Sequence, residues 1–177
     1  MNSYQIAGLY VNMETFGQTL VQAEAYKMDS YVEGKHINIC ITKEELEKEH
    51  NKSPQFTYSD CEYMLTGSEF YTYLISQNGM LLHSSAVVYQ NKAYLFSAPS
   101  GTGKSTHTSL WLKKFGEDAY ILNDDKPAIR KIDGQYYAFG TPWSGKTSLH
   151  VNKQIEIQGI CFLRQDSENH IKKINPK

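Results

Sequence analysis

Ser100-Gly101-Thr102-Gly103-Lys104-Ser105-Thr106, entered through Ala98-Pro99, is the stretch of this chain best suited to chemistry. It follows the apolar run Tyr94-Leu95-Phe96 and opens a segment with helical character. Two glycines let the backbone curl so that consecutive N–H groups point at one anion, and a helix N-terminus adds partial positive charge. Lys104 is placed to reach the β/γ-phosphates of a nucleotide and Ser105 to hold Mg²⁺. The run is therefore expected to bind a nucleoside triphosphate. Ala98 stands where the common pattern has its first glycine. A side chain entering the left-handed region costs about 1–2 kcal/mol, so Ala98 is expected to keep φ negative, with Pro99 stiffening the entry.

Phosphoryl chemistry also needs a metal ligand and a group that positions or deprotonates the acceptor. Asp124 and Asp125 end the apolar strand Ala119-Tyr120-Ile121-Leu122, where open α/β sheets gather ligand-binding groups. Adjacent residues on an extended chain point opposite ways, so one carboxylate is expected to face Mg²⁺ and the other a neighbouring pocket. His83 precedes a strand that turns at Gln90-Asn91 and leads back to the loop, so it is expected near the loop's start. Gly140-Thr141-Pro142-Trp143-Ser144-Gly145-Lys146 reads either as a plain connection or as a flap in which Lys146 meets the triphosphate or the acceptor and Trp143 packs on one of them. Arg164 is a candidate second phosphate contact.

Short alternating pieces between residues 4 and 42, such as Tyr4 to Val11 and His36 to Ile41, predict half-buried strands and a small β-rich unit over residues 1–57. Lys43 to His50 is charged and reads as a solvated helical turn. From Ser59 to Gln77 the apolar spacing predicts a helix capped by Ser59 or Asp60 and stopped by Asn78-Gly79, with Gly67 a place where it can break in two. Strands are expected at Ala86 to Tyr89, Tyr94 to Phe96 and Ala119 to Leu122, with a helix from Lys104 to Lys114. A hairpin about Asp133-Gly134, a strand over Ile155 to Leu163 and a last one at His170 to Ile174 complete a nucleotide-binding core over residues 58–177.

Eighteen Lys and Arg against nineteen Asp and Glu leave a net charge of −1, which gives no general attraction to nucleic acid or to anionic membrane. Cys40, Cys61 and Cys161 form no C-x-x-C pair and suggest neither a disulfide framework nor a zinc site. With no signal sequence and no run near the ~20 apolar residues that span a bilayer, a cytoplasmic location is expected.

Leu82-His83-Ser84-Ser85-Ala86-Val87-Val88, the loop from Ser97 to Thr106, and Leu122-Asn123-Asp124-Asp125 together resemble the HPr kinase/phosphorylase family and, more distantly, ATP-dependent phosphoenolpyruvate carboxykinase. The likeness covers roughly residues 80 to 165 and is greatest to HPr-kinase-like proteins found beside peptide-modifying enzymes. It implies a P-loop-containing mixed sheet in an α/β (α+β) fold. It also implies ATP and Mg²⁺ as cofactors and γ-phosphoryl transfer to a hydroxyl, a serine of a peptide or small protein. By resemblance Ser100 to Thr106 and Lys146 would bind nucleotide, Ser105, Asp124 and Asp125 would serve the metal, and Asp125, Lys104 and His83 would be catalytic. In relatives a C-terminal helical portion helps form the acceptor site. Ending at Lys177, this chain is expected either to dispense with it or to be a truncated member. The alternative expectation is an ATP-binding module that acts as an interaction partner without catalysis.

Overall fold

The computed structural model describes residues 1–30 and 32–174. Alternation puts Tyr4, Ile6, Val11 and Met13 on the buried face of two short strands, β1 (Asn2–Ile6) and β2 (Leu9–Met13). They pair antiparallel through a tight turn at Ala7-Gly8, where both residues have positive φ (51° and 72°). After α1 (Gly17–Ala23) and a 3₁₀ turn at Glu24–Tyr26, β3 (His36–Ile39) lies parallel to β2 and gives the order β1-β2-β3. The expected strands are present, and α1 joins them although no apolar period announces it.

The charged stretch after β3 is longer than a single turn. It forms α2 (Lys43–Lys52), which starts at a reciprocal capping box between Thr42 and Glu45 and buries no residue. A second capping box, Thr57 with Asp60, starts α3 (Tyr58–Ile75). Thr57, not Ser59 or Asp60, is therefore the cap, and Asp60 is its partner three residues on. Nor does Gly67 break the helix. Its missing side chain makes room for the Trp143 indole, which stacks on Phe70 with ring centroids 4.9 Å apart and donates Nε1–H to Thr66 at 3.2 Å. A Cβ on Gly67 would lie 2.9 Å from Trp143 Cδ1. Gly67→Ala should accordingly destabilise the protein by about 1–3 kcal/mol in urea denaturation followed by tryptophan fluorescence, although alanine favours an isolated helix by about 1 kcal/mol.

The remaining strands form one seven-stranded sheet. They are β4 (Gly79–Leu81), β5 (Ser84–Tyr89), β6 (Lys92–Ser97), β7 (Ala119–Asn123), β8 (Ala128–Ile132), β9 (Gln135–Phe139) and β10 (Gln154–Phe162), in the order β4-β8-β9-β10-β6-β5-β7. Left-handed residues at Gln90-Asn91 and Asp133-Gly134 close the two hairpins as their composition predicts. Helix α4 (Lys104–Phe115) ends at Gly116 with φ 55°. Its Trp111 and Phe115 pack on Val87 and Phe96, while Ala86, Val88 and Leu95 face the opposite side of the sheet and meet Leu122, Ile129 and Ala138. No strand forms at His170 to Ile174.

The fold is thus mixed α/β, with four α-helices and two mixed sheets among the described residues. A single buried cluster holds Tyr4, Ile6, Met13 and Tyr26 together with Phe70 and Leu74 of α3 and with Phe139 and Trp143, so the three-stranded sheet shares its core with the segment after β9.

Candidate functional site

Strand direction decides where the chemistry-bearing residues meet. β7 and β6 are both antiparallel to β5, and β10 is parallel to β6, so β6, β7 and β10 run the same way and end on one edge. The loop after β6, the Asp pair after β7 and Arg164 after β10 all leave from that edge, and His83 enters β5 there.

The loop is shaped by its glycines. Gly101 (φ 80°) and Gly103 (φ 110°) occupy conformations closed to most side chains, while a Cβ at either would meet nothing within 4 Å, so the requirement is one of backbone and not of space. Ala98 is outside the left-handed region, as expected, and its methyl therefore costs no backbone strain. Gly103 caps α4, accepting the His107 N–H at 2.8 Å, and the first amides of α4 have no intrahelical acceptor. Lys104 folds back over the loop, buried, with Nζ donating to the Ala98 carbonyl at 3.1 Å. Ser105 and Thr106 are exposed on the first turn. Beside the loop, Leu163 N–H donates to the Ser97 carbonyl at 2.9 Å, which puts exposed Arg164 next to the loop's entry.

The two aspartates point to different partners. Asp124 turns inward and is only 6% exposed, its Oδ1 accepting from Ser85 Oγ at 2.5 Å. The Ser85 and Thr108 hydroxyls are 2.8 Å apart, and Thr108 also reaches the Ser105 carbonyl at 3.2 Å. Two hydroxyl side chains thus connect this carboxylate to the first turn of α4. Asp125 turns the other way, with Oδ1 3.1 Å from His83 Nε2 and Oδ2 2.6 Å from Lys126 Nζ. Buried Asn123 sets the divergence: its Oδ1 accepts the N–H groups of Asp125 (3.0 Å) and Lys126 (2.7 Å), and its amide donates to Thr141.

Sequence reasoning missed Ser85, Thr108, Asn123 and Lys126. For Ser85 and Asn123 the signal was a hydroxyl or amide group inside an otherwise apolar strand, whereas Thr108 on α4 and Lys126 after the Asp pair carried none. Of the two readings of the segment from Gly140 to Lys146, Trp143 is placed as a packed connection would have it. It is buried among Phe70, Tyr71 and Thr66, because Gly67 admits it to the core. Gly145, two residues on, does reach the site, where a Cβ would lie 2.9 Å from Asp125 Cβ. Lys146 follows it on the 3₁₀ turn Gly145–Thr147, exposed.

This turn is held from behind. Gly145 N–H donates to the Tyr63 hydroxyl at 2.9 Å, Gln22 Nε2 donates to Ser148 at 3.0 Å, and Tyr26 and His150 share a hydrogen bond at 3.0 Å. Helix α1, which carries Gln22, is tied to α3 by the Thr19 hydroxyl, which donates to Glu62. Glu62 occurs on the apolar stripe of α3, four residues before Thr66, and its Oε1 has no hydrogen-bond partner among the described residues. Burial, partly offset by the Thr19 bond, raises its pKa from 4.5 to about 7.

Between those values the native protein keeps a proton that the unfolded chain has released, so this contribution to stability is complete below pH 4.5 and is lost as pH rises through about 7. From about pH 5 to about pH 8 the parent should lose on the order of 2–3 kcal/mol of unfolding free energy that Glu62→Gln does not lose, measured by urea denaturation.

No family model and no curated protein matches this chain. Among solved structures, the HPr(Ser) kinase/phosphatase from Coxiella burnetii is similar over 55% of this chain and 73% of its own, at 19% sequence identity and a TM-score of 0.39. No helix among the described residues is long and apolar enough to cross a membrane.

Proposed function

We propose that the protein is an ATP-dependent phosphotransferase of HPr kinase type that moves a γ-phosphoryl group to a hydroxyl, the acceptor being a serine of a peptide or small protein. One observation carries this reading: a glycine-shaped loop opening α4 shares an edge with two carboxylates that diverge, one toward that helix and one toward His83. In this reading Ser100 to Thr106 form the phosphate-binding loop. The amides at the start of α4, with about half a positive charge from the helix, receive the phosphates, and Lys104 leaves the Ala98 carbonyl to join them.

The residues present fit Mg²⁺. Asp124 is a buried carboxylate that makes no ion pair with a protein cation among the described residues, and the exposed Ser105 hydroxyl supplies a second hard oxygen. No cluster of three or more His, Cys, Asp or Glu side chains suited to a metal occurs among the described residues, and none is needed where phosphate and water complete the shell. When bound, Mg²⁺ would neutralise charge developing on the transferred group. Asp125, turned away from Asp124, is positioned to accept the proton of the acceptor hydroxyl. His83 orients it, and Lys146 reaches the phosphates or the acceptor from the Gly145 turn. Transfer then depends chiefly on position and charge, since the phosphoryl group needs little covalent assistance.

Incubation with γ-labelled ATP, Mg²⁺ and serine peptides tests the reading, and label appearing on serine is the expected result. A second reading, nucleotide binding without transfer, is favoured by the Lys126 ammonium already paired with Asp125. It would show ATP-dependent thermal stabilisation and no labelled acceptor.

A further inference from the structure

Helix α3 buries one stripe and exposes another, on which Met64, Ser68, Thr72 and Ile75 follow one another at helical spacing. Across from them Met80 stands half exposed on β4, the end strand of the large sheet. Between these walls runs a groove of about 560 Å³, within the range of roughly 300–1,000 Å³ usual for ligand sites. Its floor is rigid, made by the packed rings of Tyr71 and Trp143. Lys126 also lines the groove, with Nζ over the Tyr63 ring. Among the described residues this is the only charged side chain on the lining, and its charge is turned to Asp125 Oδ2, 2.6 Å away. The groove therefore comes within one side chain of the carboxylate assigned to the acceptor, and its remaining wall offers an occupant apolar surface and adaptable thioethers.

We propose that this groove docks an apolar side chain, of the leucine, methionine or phenylalanine kind, carried by the acceptor peptide close to its serine. The inference rests on the phosphotransferase reading. A chain that presents its hydroxyl to Asp125 and continues past Lys126 enters the groove. From Met64 to Ile75 the helix rises about 16 Å at ~1.5 Å per residue, a length that an extended peptide covers in about five residues. The anchoring side chain thus lies within about five residues of the serine.

Serine-centred nonapeptides in an Ala/Gly background, with one Leu at each flanking position in turn, test this when titrated into the full chain carrying ¹³C-methyl methionine. At one or two Leu positions the Met64 and Met80 methyls shift while Met13, buried in the small sheet, does not. Exchanging that Leu for Glu weakens binding at least tenfold. Ser68→Trp, made at an exposed position and filling the groove, does the same with the Met13 signal unmoved. In γ-labelled ATP assays the Leu peptide gains at least tenfold in kcat/KM, through KM.

The proposal is overturned if no peptide moves Met64 or Met80, or if binding ignores both changes. It is also overturned if those methyls shift with protein concentration in the absence of peptide, which would assign the groove to a second copy of the chain. Methyl shifts without label on any peptide would leave the groove standing as a peptide site and remove the transfer reading instead.

Discussion

Lys104→Ala is expected to lower kcat/KM for phosphoryl transfer by on the order of 10³-fold, equivalent to about 4 kcal/mol of transition-state stabilisation. The lysine is buried over the loop and spends its ammonium on a single carbonyl, that of Ala98. Removing it leaves one acceptor without its donor and replaces a helical residue by the best helix former, so the folding cost should stay within about 1 kcal/mol. The unfolding midpoint without nucleotide should accordingly move by only a few degrees, while the rise in that midpoint produced by ATP and Mg²⁺ shrinks or vanishes. Transfer at the parent rate in this variant would remove the loop from the mechanism.

Asp125→Asn should lower transfer by about 10²–10⁴-fold and leave nucleotide-dependent stabilisation intact, and this split separates the two residues' roles. The amide keeps the carboxylate's shape, and the backbone on either side is pinned independently: Asp125 N–H donates to Asn123 and its carbonyl accepts from Ser84 N–H at 3.1 Å. What disappears is the ability to accept a proton and the pairing with His83 and Lys126. Thermal shift with ATP and single-turnover transfer to a serine peptide, run side by side, measure both halves. Equal loss of binding and transfer would place Asp125 with the nucleotide instead of the acceptor.

Much of the large sheet was legible in the sequence, because its signals are local. Left-handed turns favour Asn, Asp or Gly, so Asn91 and Asp133-Gly134 mark their hairpins, and Gly116 marks the end of α4. The position of His83 followed from hairpin length alone and holds, since its carbonyl accepts from Ser97 Oγ at 3.0 Å. Features that depend on distant partners were not legible. Gly67 carries a cost in helix propensity that only Trp143, far along the chain, explains. Glu62 sits where the stripe asks for an apolar residue, and its partner Thr19 belongs to a helix without a sequence signature. The side-chain capping of Thr57 is written as T-x-x-D, a pattern that competes with Ser59 until the backbone decides.

The placement of β10 has a consequence for biogenesis. In the order β4-β8-β9-β10-β6-β5-β7, the last of the described strands to be made is wedged between two groups of strands made earlier, pairing Ile157 with Ala93 on one side and Ile155 with Ala138 on the other. Until it arrives, β6 and β9 each display an unsatisfied row of backbone donors and acceptors, the kind of surface that recruits other chains. Closure also requires a parallel pairing between residues remote in sequence, which is slow compared with hairpin formation. A newborn chain is therefore most vulnerable to clumping just before residue 154 emerges from the ribosome, and a chaperone that shields those two rows would raise its yield more than one acting at any other stage.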